Sequence, residues 1–398
     1  MEIIRELCSF ERRLAGTDAE RRAAGAMAER LRAAGRRAEI EPIYVHPQWA
    51  LVHAGHCLLG FAASLVAVSA PAVGFGLALF AAASMYLDLN ARLYLLRRLF
   101  FRRASQNVVS PGAQPEAPAR LIVCAHLDAA RTGAVHTERR ARRLSAFAQR
   151  IGVPLGPFRI LFWSLAALVP LLGLRMAGID SDAVSVLQLP PTLVLLIGIF
   201  ALVEIQLSNA VAGANDNASG VATAIALGGE LEAEPPRNLD IWVLLDGAGE
   251  CLSEGMRAFV RAHRDRFKDT PTFFLTIDSV GQGEVRYLSS AGWAVGVGMD
   301  RRLIELCEAI GVADAEGDGR FNAAAVASGL GGDPVVPRLA RFRSLGITCL
   351  DSDGYVPHRH LPTDVPAAIN LRALDRAHDF TLELIRRLDS DLGRGRAR

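Results

Sequence analysis

The sequence predicts an α/β domain with a mixed, mainly parallel sheet flanked by helices, into which two membrane helical hairpins are inserted. Two observations carry this prediction. Several short, continuous apolar runs are bounded by turn-forming residues, which is typical of strands buried on both faces of a sheet. Four longer apolar stretches interrupt this pattern and are almost free of charge, which is typical of membrane spans.

The chain opens with predicted helices over residues 2–35. An apolar stripe of helical period marks the first of them, and Gly16-Thr17-Asp18 supplies a cap for the second, which ends at Gly35. Arg37–Val45 is the first predicted strand. The N-terminal residues are partly acidic and lack an apolar core, so we expect no cleaved signal peptide.

The first interruption contains two apolar stretches. No Asp, Glu, Lys or Arg occurs between Glu41 and Asp88, and the stretches Ala50–Val68 and Ala72–Leu87 are joined by a short turn containing Pro71. A membrane span needs about 20 apolar residues. The pair therefore predicts a transmembrane hairpin.

The second interruption contains two further stretches, Ile160–Leu174 and Val184–Val203. The shorter one spans a bilayer only if Arg159 extends its charged end to the interface. The alternative is a buried helical subdomain. Four such stretches in a chain of mean hydropathy +0.23 favour the membrane.

Arginines indicate how the hairpins are oriented. Both hairpins leave and re-enter the same domain, so their flanks share one side of the membrane, while the opposite loops hold Asp180 and Asp182. The positive-inside rule then predicts a cytoplasmic α/β domain in an integral protein of a bacterial-type inner membrane, in contact with the lipid bilayer and its anionic lipids. The flanking arginines are Arg92, Arg97, Arg98, Arg102, Arg103, Arg139, Arg140, Arg142, Arg143 and Arg150.

Potential metal ligands follow the predicted strands. Asp216 lies in Gly213–Gly220, ahead of a helical run of small residues, where it is either a turn-forming helix cap or a carboxylate that bridges two metals. The other potential ligands in the chain favour the metal-bridging role, because ligands gather at the carboxyl edge of a parallel sheet. The other candidates are His126 and Asp128 after Leu121–Ala125, Glu250 after Ile241–Asp246, Asp278 after Thr272–Ile277, and His360 after Gly346–Leu350.

In this order the five motifs resemble the co-catalytic zinc aminopeptidase family, which also contains glutaminyl cyclases and the peptidase-like domain of transferrin receptors. The resemblance implies two zinc ions bridged by Asp216. It makes His126 and Asp278 the other ligands of one ion, and Glu250 and His360 those of the second. Asp128 is implied to orient His126 through the second imidazole nitrogen.

The chain departs from the family pattern at the general base. The family has two consecutive glutamates after the third strand, the first acting as base, and this chain has Gly249 followed by Glu250. The substitutes considered are Glu254, Asp246 or a second water. In a shifted register Glu250 is the base and Cys251 a ligand. Asp333 falls near a Ser-Asp pair of the family.

Two functions follow from the resemblance. The first is zinc-dependent hydrolysis of N-terminal peptide bonds or a small amide, with activity reduced by the loss of the base. Restoring a glutamate at Gly249 is then expected to raise turnover at least about tenfold. The alternative is a weak or inactive metal-binding membrane scaffold that binds a peptide or protein partner.

The domain boundaries follow from these motifs. The predicted segments are 1–46, 105–134 and 210–390 for the zinc-peptidase-like domain, 47–104 and 135–209 for the two hairpin insertions, and 391–398 for a basic tail.

Composition excludes some further functions. The formal net charge of +2 gives no global field that favours nucleic acid, so no nucleic-acid partner is predicted. The six cysteines are scattered without a Cys-x-x-Cys pair, which predicts buried free thiols in a reducing compartment. His53 and His56 lie in the first span, where packed polar groups are the first expectation and a metal or proton path the second.

Overall fold

A nine-stranded sheet forms the centre of the protein in the computed structural model, which describes residues 1–317 and 319–396. The strands run through three separate parts of the chain. They are β1 Glu39–Val45, β2 Arg103–Ser110, β3 Ala119–His126, β4 Leu239–Asp246, β5 Thr272–Ile277, β6 Glu284–Ala291, β7 Val297–Gly298, β8 Ala324–Ala327 and β9 Arg343–Leu350.

The order across the sheet is β1-β2-β4-β3-β5-β9-β6-β7, with β8 paired to β6. The four central strands β4, β3, β5 and β9 are parallel, and antiparallel pairs form on both sides of them. Every residue of β3, β4 and β5 is buried, because helices cover both faces, as their continuous apolar sequences predict. The prediction of a mixed sheet flanked by helices is confirmed.

Helices pack on this sheet and extend away from it. Thr17 caps the second helix by accepting a hydrogen bond from the backbone N–H of Glu20, as its capping sequence predicts. The helices are α1 Glu2–Ser9, α2 Asp18–Ala33, α3 Trp49–Val66, α4 Pro71–Leu89, α5 Glu138–Ile151, α6 Pro157–Met176, α7 Asp182–Leu207, α8 Gly220–Ala233, α9 Glu254–Phe267, α10 Arg301–Glu316, α11 Val335–Leu339 and α12 Leu371–Arg396. Short helical turns occur at Leu96–Leu99, Gly249–Cys251 and Pro366–Ala368.

Four helices, α3, α4, α6 and α7, are long and apolar enough to cross a membrane. They form two helical pairs that also pack on each other, so that α3 contacts α7 and α4 contacts α6. At Gly60 a Cβ would lie 2.4 Å from Leu165 and 2.8 Å from Leu195, so glycine permits this close approach. Large apolar side chains on the outer faces remain exposed, among them Ile197 at 65% and Phe200 at 69%.

Two arginines have different roles from those predicted. The guanidinium of Arg159 donates to the carbonyl oxygens of Pro154 and Gly292, so it is tied to the α/β domain and does not extend along the outside of α6. Arg97 is fully buried and pairs with Asp88 at 2.6 Å and Glu254 at 3.0 Å. Arg97 is therefore an internal ion-pair partner and not a cation at a membrane surface.

The C-terminal helix α12 continues to Arg396. The segment predicted as a basic tail from residue 391 is therefore helical over 391–396. Residues 397 and 398 lie outside the described residues.

Candidate metal centre

The parallel strands bring three of the predicted site residues to one edge of the sheet. His126 is the last residue of β3 and pairs in register with Asp246, the last residue of β4. Asp278 directly follows β5, and Glu250 lies in the helical turn after β4. Parallel strands end at the same edge of a sheet, so their terminal side chains meet in one place.

Asp216 reaches this edge on a buried loop between α7 and α8. Gly213 begins the loop with a φ of 67°, which favours glycine. Asp364 accepts hydrogen bonds from the backbone N–H groups of Asn215 and Asp216, at 2.6 and 3.1 Å. Asn217 accepts from the backbone N–H of Ser279 at 3.0 Å. The two asparagines and Asp364 therefore fix the loop against β5 and leave the Asp216 carboxylate free of backbone contacts.

The imidazoles and carboxylates meet at equal distances. The Nε2 atom of His126 lies 3.4 Å from Asp216 Oδ1, and His360 Nε2 lies 3.4 Å from both Asp216 Oδ2 and Glu250 Oε2. These separations are long for charge-assisted hydrogen bonds. They equal the edge, about 3.4 Å, of a tetrahedron around zinc with bonds of about 2.1 Å.

Unpartnered polar atoms also fit a metal. Asp216 Oδ2 and His360 Nε2 are buried and have ion-pair contacts at 3.3–3.4 Å but no hydrogen bond among the described residues, which leaves both atoms available to a further ligand. One ligand atom each from His126, Asp216 and Glu250 lies within 4.8 Å of the others. Asp278 lines the same cavity and accepts from the Ser279 hydroxyl at 2.7 Å.

The carboxylates stabilise the protonated histidines of the centre, and the histidines stabilise the ionised Asp216. Burial opposes protonation of His360, but Glu250 and Asp216 outweigh it and raise the pKa of this imidazole to about 9. Burial likewise opposes protonation of His126, and Asp128 and Asp216 raise its pKa. Burial would raise the pKa of Asp216, whereas its two histidine contacts lower it. Without metal the cluster therefore holds protons, which a bound cation would displace.

Asp128 contacts both sides of the centre. Its carboxylate accepts hydrogen bonds from the backbone N–H groups of Gly249 and Glu250, at 2.7 and 3.2 Å. Its Oδ1 atom lies 3.4 Å from His126 Nδ1. Cys251, in contrast, packs in an apolar cluster with Val45, so Glu250 and not Cys251 faces His360.

Comparisons with known proteins identify the fold. Residues 197–385 match the family model of Peptidase family M28. The chain has the fold of peptidase family M28. The predicted resemblance to zinc aminopeptidases and glutaminyl cyclases is thereby confirmed.

Solved structures share the M28 fold at low sequence identity. A leucine aminopeptidase precursor from Bacteroides thetaiotaomicron is 15% identical with a TM-score of 0.53, covering 97% of this chain and 94% of its own. A glutaminyl cyclase from the same organism is also 15% identical, with a TM-score of 0.53 and coverage of 97% and 95%. A Zn-dependent exopeptidase from Parabacteroides distasonis is 13% identical, with a TM-score of 0.53 and coverage of 96% and 95%. No curated protein sequence matches the chain significantly.

Gly249 lies directly against a predicted ligand of the M28 fold. A Cβ at this position would be 2.3 Å from the Cβ of His126 and 2.5 Å from its Cγ. Carbon atoms in contact are normally about 3.5–4.0 Å apart. A glutamate at Gly249 would therefore displace His126. The structure thus predicts that this substitution lowers activity, whereas the sequence motif predicts that it raises activity.

Two of the substitutes for the base are also removed from the cavity. Glu254 is bound to Arg97 and to the backbone N–H of His46. Asp246 is fully buried, has no hydrogen-bond partner among the described residues and does not line either cavity at the centre. Burial and the neighbouring Asp333 raise the pKa of Asp246.

Sequence reasoning missed two residues of the centre. Arg359 Nε lies 3.3 Å from Asp216 Oδ2, and the ring of His136 contacts that of His360 edge to face, with centroids 4.7 Å apart. The position of Arg359 next to His360 was the available signal. His136 gave none, because it reaches the centre from the segment before α5.

Two cavities meet at the centre. The larger, of about 540 Å³, lies between α5 and the segment 325–334 and reaches Asp278, Arg359 and His360. The smaller, of about 130 Å³, contains the predicted ligands and Asp333 and extends toward the apolar helices. Asp333 Oδ1 has no hydrogen-bond partner among the described residues.

Proposed function

We propose that this chain is a membrane-embedded, zinc-dependent aminopeptidase-like hydrolase that cleaves N-terminal peptide bonds or related amides. The observation that carries the proposal is the set of 3.4 Å contacts among His126, Asp216, Glu250 and His360 at the head of two cavities. The M28 fold and the Zn-dependent exopeptidase neighbour support zinc as the metal.

Five residues supply the ligands in this proposal. His126, Asp216 and Asp278 would hold one zinc ion, and Asp216, Glu250 and His360 would hold a second. One carboxylate oxygen of Asp216 lies near each histidine. When bound, zinc polarises the amide carbonyl and makes a bound water more acidic. Asp128 positions His126 and the turn that carries Glu250.

We assign the general base to Asp333. It is the carboxylate of the smaller cavity outside the proposed ligand set, and its Oδ1 atom is unpartnered among the described residues. Asp333 takes a proton from the attacking water and returns it to the leaving amine, as the water oxygen bonds to the carbonyl carbon and the C–N bond breaks. The guanidinium of Arg359 faces the same space and opposes the negative charge on the carbonyl oxygen.

Substitution of Asp333 tests this assignment. Asp333→Asn is expected to lower kcat for leucine p-nitroanilide by about 10²–10⁴-fold, the usual contribution of a general base, while zinc content stays unchanged. The control is Asp269→Asn, at an exposed position. Equal turnover in the two variants would exclude Asp333 as the base.

The space around Gly249 favours one alternative. Because His126 occupies the place of a side chain there, the chain is also suited to a metal-binding peptidase-like scaffold that binds a peptide or protein partner. Hydrolysis of leucyl and arginyl p-nitroanilides that stops on adding a chelator supports the enzyme. Full metal content without hydrolysis supports the scaffold.

We also propose a membrane orientation. The two pairs α3–α4 and α6–α7 span the bilayer, and the peptidase-like domain lies on the cytoplasmic side of a bacterial-type inner membrane. Exposed arginines near the domain-side ends of the helices support this orientation, because cytoplasmic flanks are rich in arginine. They include Arg92, Arg98, Arg102, Arg139, Arg140 and Arg143.

A further inference from the structure

The smaller cavity joins the metal centre to the ends of three apolar helices. Beyond the polar groups, its walls are Trp49 at the start of α3, Phe158 and Leu161 in the first two turns of α6, and Leu202 and Ile205 in the last two turns of α7. The cavity therefore has a polar end that holds the proposed ligands and an apolar end between helices.

In the proposed membrane orientation, the apolar end would lie at the depth of the bilayer edge. Helices α3, α4 and α6 have 18, 19 and 20 residues, or about 27–30 Å at 1.5 Å per residue. In the proposed membrane orientation this length matches a hydrocarbon layer of about 30 Å, which would place the ends of these three helices at its boundary. Helix α7, with 26 residues, would extend beyond it. Leu161 is one turn inside α6, about 6 Å from the helix start. In this orientation the cavity would thus reach into the outer part of the hydrocarbon layer.

The walls of this cavity are fixed by hydrogen bonds. Arg159 donates to the carbonyl of Gly292 at 3.0 Å, and the indole N–H of Trp163 donates to the carbonyl of Ala294 at 3.1 Å. These two contacts hold α6 against the loop that carries Trp293, which also lines the cavity. The cleft is therefore part of the folded structure.

Size and chemistry select the occupant. A volume of about 130 Å³ cannot accept a peptide helix, which is about 10–12 Å across. It accepts only the first few methylene groups of a narrow chain, and the rest of the chain would extend between the helices toward the lipid. We propose that the substrate is a single-chain amphiphile of the membrane, with its amide at the metal centre and its apolar chain between α3, α6 and α7. This inference rests on the proposed amide hydrolysis and adds the substrate class.

Chain-length dependence tests the proposal. The zinc-loaded full chain in detergent micelles is assayed with leucine butylamide and leucine dodecylamide, and with the p-nitroanilides of 2-aminobutyric and 2-aminododecanoic acid. The first pair carries the chain on the leaving amine and the second on the N-terminal residue. We expect kcat/KM to be at least about tenfold higher for the long member of one pair, since each buried methylene favours binding.

Variants separate the cleft from simple partition into micelles. Leu202→Trp fills the cleft and is expected to lower the long-to-short ratio at least about fivefold. Leu202→Ala enlarges the cleft and is expected to shift the preference toward longer chains. The matched control is Ile197→Trp on the exposed face of the same helix, which should keep the wild-type ratio. Ratios that are equal in all four proteins would overturn the proposal.

A binding measurement separates this inference from the proposed function. A leucine amide of a twelve-carbon amine with a terminal diazirine is photolysed on the full chain, and the labelled residues are identified by mass spectrometry. We expect labels at Trp49, Phe158 or Leu202 that excess leucine dodecylamide suppresses. Such labels without any hydrolysis would contradict the proposed hydrolase function but support the amphiphile as the ligand. Hydrolysis of short amides, with labels only on outer residues such as Ile197, would support the hydrolase function and overturn the amphiphile as the substrate.

Discussion

Replacing Gly249 separates what the sequence motif predicts from what the geometry predicts. The Cβ of an alanine would lie 2.3 Å from His126 Cβ, and relief of this contact to about 3.5 Å requires a movement of more than about 1 Å. The distance from a ligand atom to zinc tolerates a deviation of only about 0.2 Å. Since loss of an orienting contact alone lowers metal affinity about 10–100-fold, we expect Gly249→Ala to lower zinc affinity at least about 100-fold.

The assay is competition for zinc against a chromophoric chelator, with the full chain in detergent. Gly25→Ala is the matched control, because a Cβ at Gly25 meets nothing within 4 Å. Gly249→Glu is expected to lose zinc as Gly249→Ala does, and to lose turnover with it. The reasoning fails if Gly249→Ala binds zinc as tightly as the wild type, or if Gly249→Glu raises turnover at least about tenfold with zinc affinity unchanged.

Three further outcomes are expected. Zinc binding displaces a proton from His360, whose pKa is raised to about 9, so zinc affinity should fall about tenfold per pH unit between about pH 8 and 6. The raised pKa of His126 acts in the same direction. A pH-independent Kd would contradict this. Arg97→Leu leaves two buried carboxylates without their cation and should destabilise the fold by about 3–5 kcal/mol, seen as a lower Tm than that of the exposed Arg98→Leu control. If α3, α4, α6 and α7 span a bilayer, detergent should release the protein from membranes; release by carbonate alone would refute the spans.

The sheet and the site edge could be predicted because both depend on local sequence. A continuous apolar run such as Leu121–Ala125 favours a buried strand over a helix because it is short and bounded by polar or turn-forming residues, and the strand then fixes the position of a ligand that follows it. Asp216 follows no strand, and a turn and a metal-bridging loop can have the same local sequence. Its prediction as a metal ligand therefore depended on the other motifs. The distances among the ligands come from tertiary packing.

Contacts between distant segments could not be predicted. The clash at Gly249 depends on how closely β3 approaches the turn after β4, which register alone does not specify. The neighbouring arginines predict a membrane-surface position for Arg97, whereas Asp88 and Glu254 bind it inside the protein. Charge density along a sequence does not distinguish a paired arginine from a solvated one.

The first insertion begins and ends at a single rung of the sheet. Val45, the last residue of β1, pairs with Arg103, the first residue of β2, so the pair of strands is a β-hairpin whose turn has been replaced by α3 and α4. A similar antiparallel bridge between Arg131 and Ala210 closes the second insertion. Loop closure entropy rises only slowly with loop length, and each helical pair returns the chain to its starting point. The register of these strands is therefore independent of the length and content of the segments that connect them, so helices α3, α4, α6 and α7 can extend away from the sheet without disturbing its pairing.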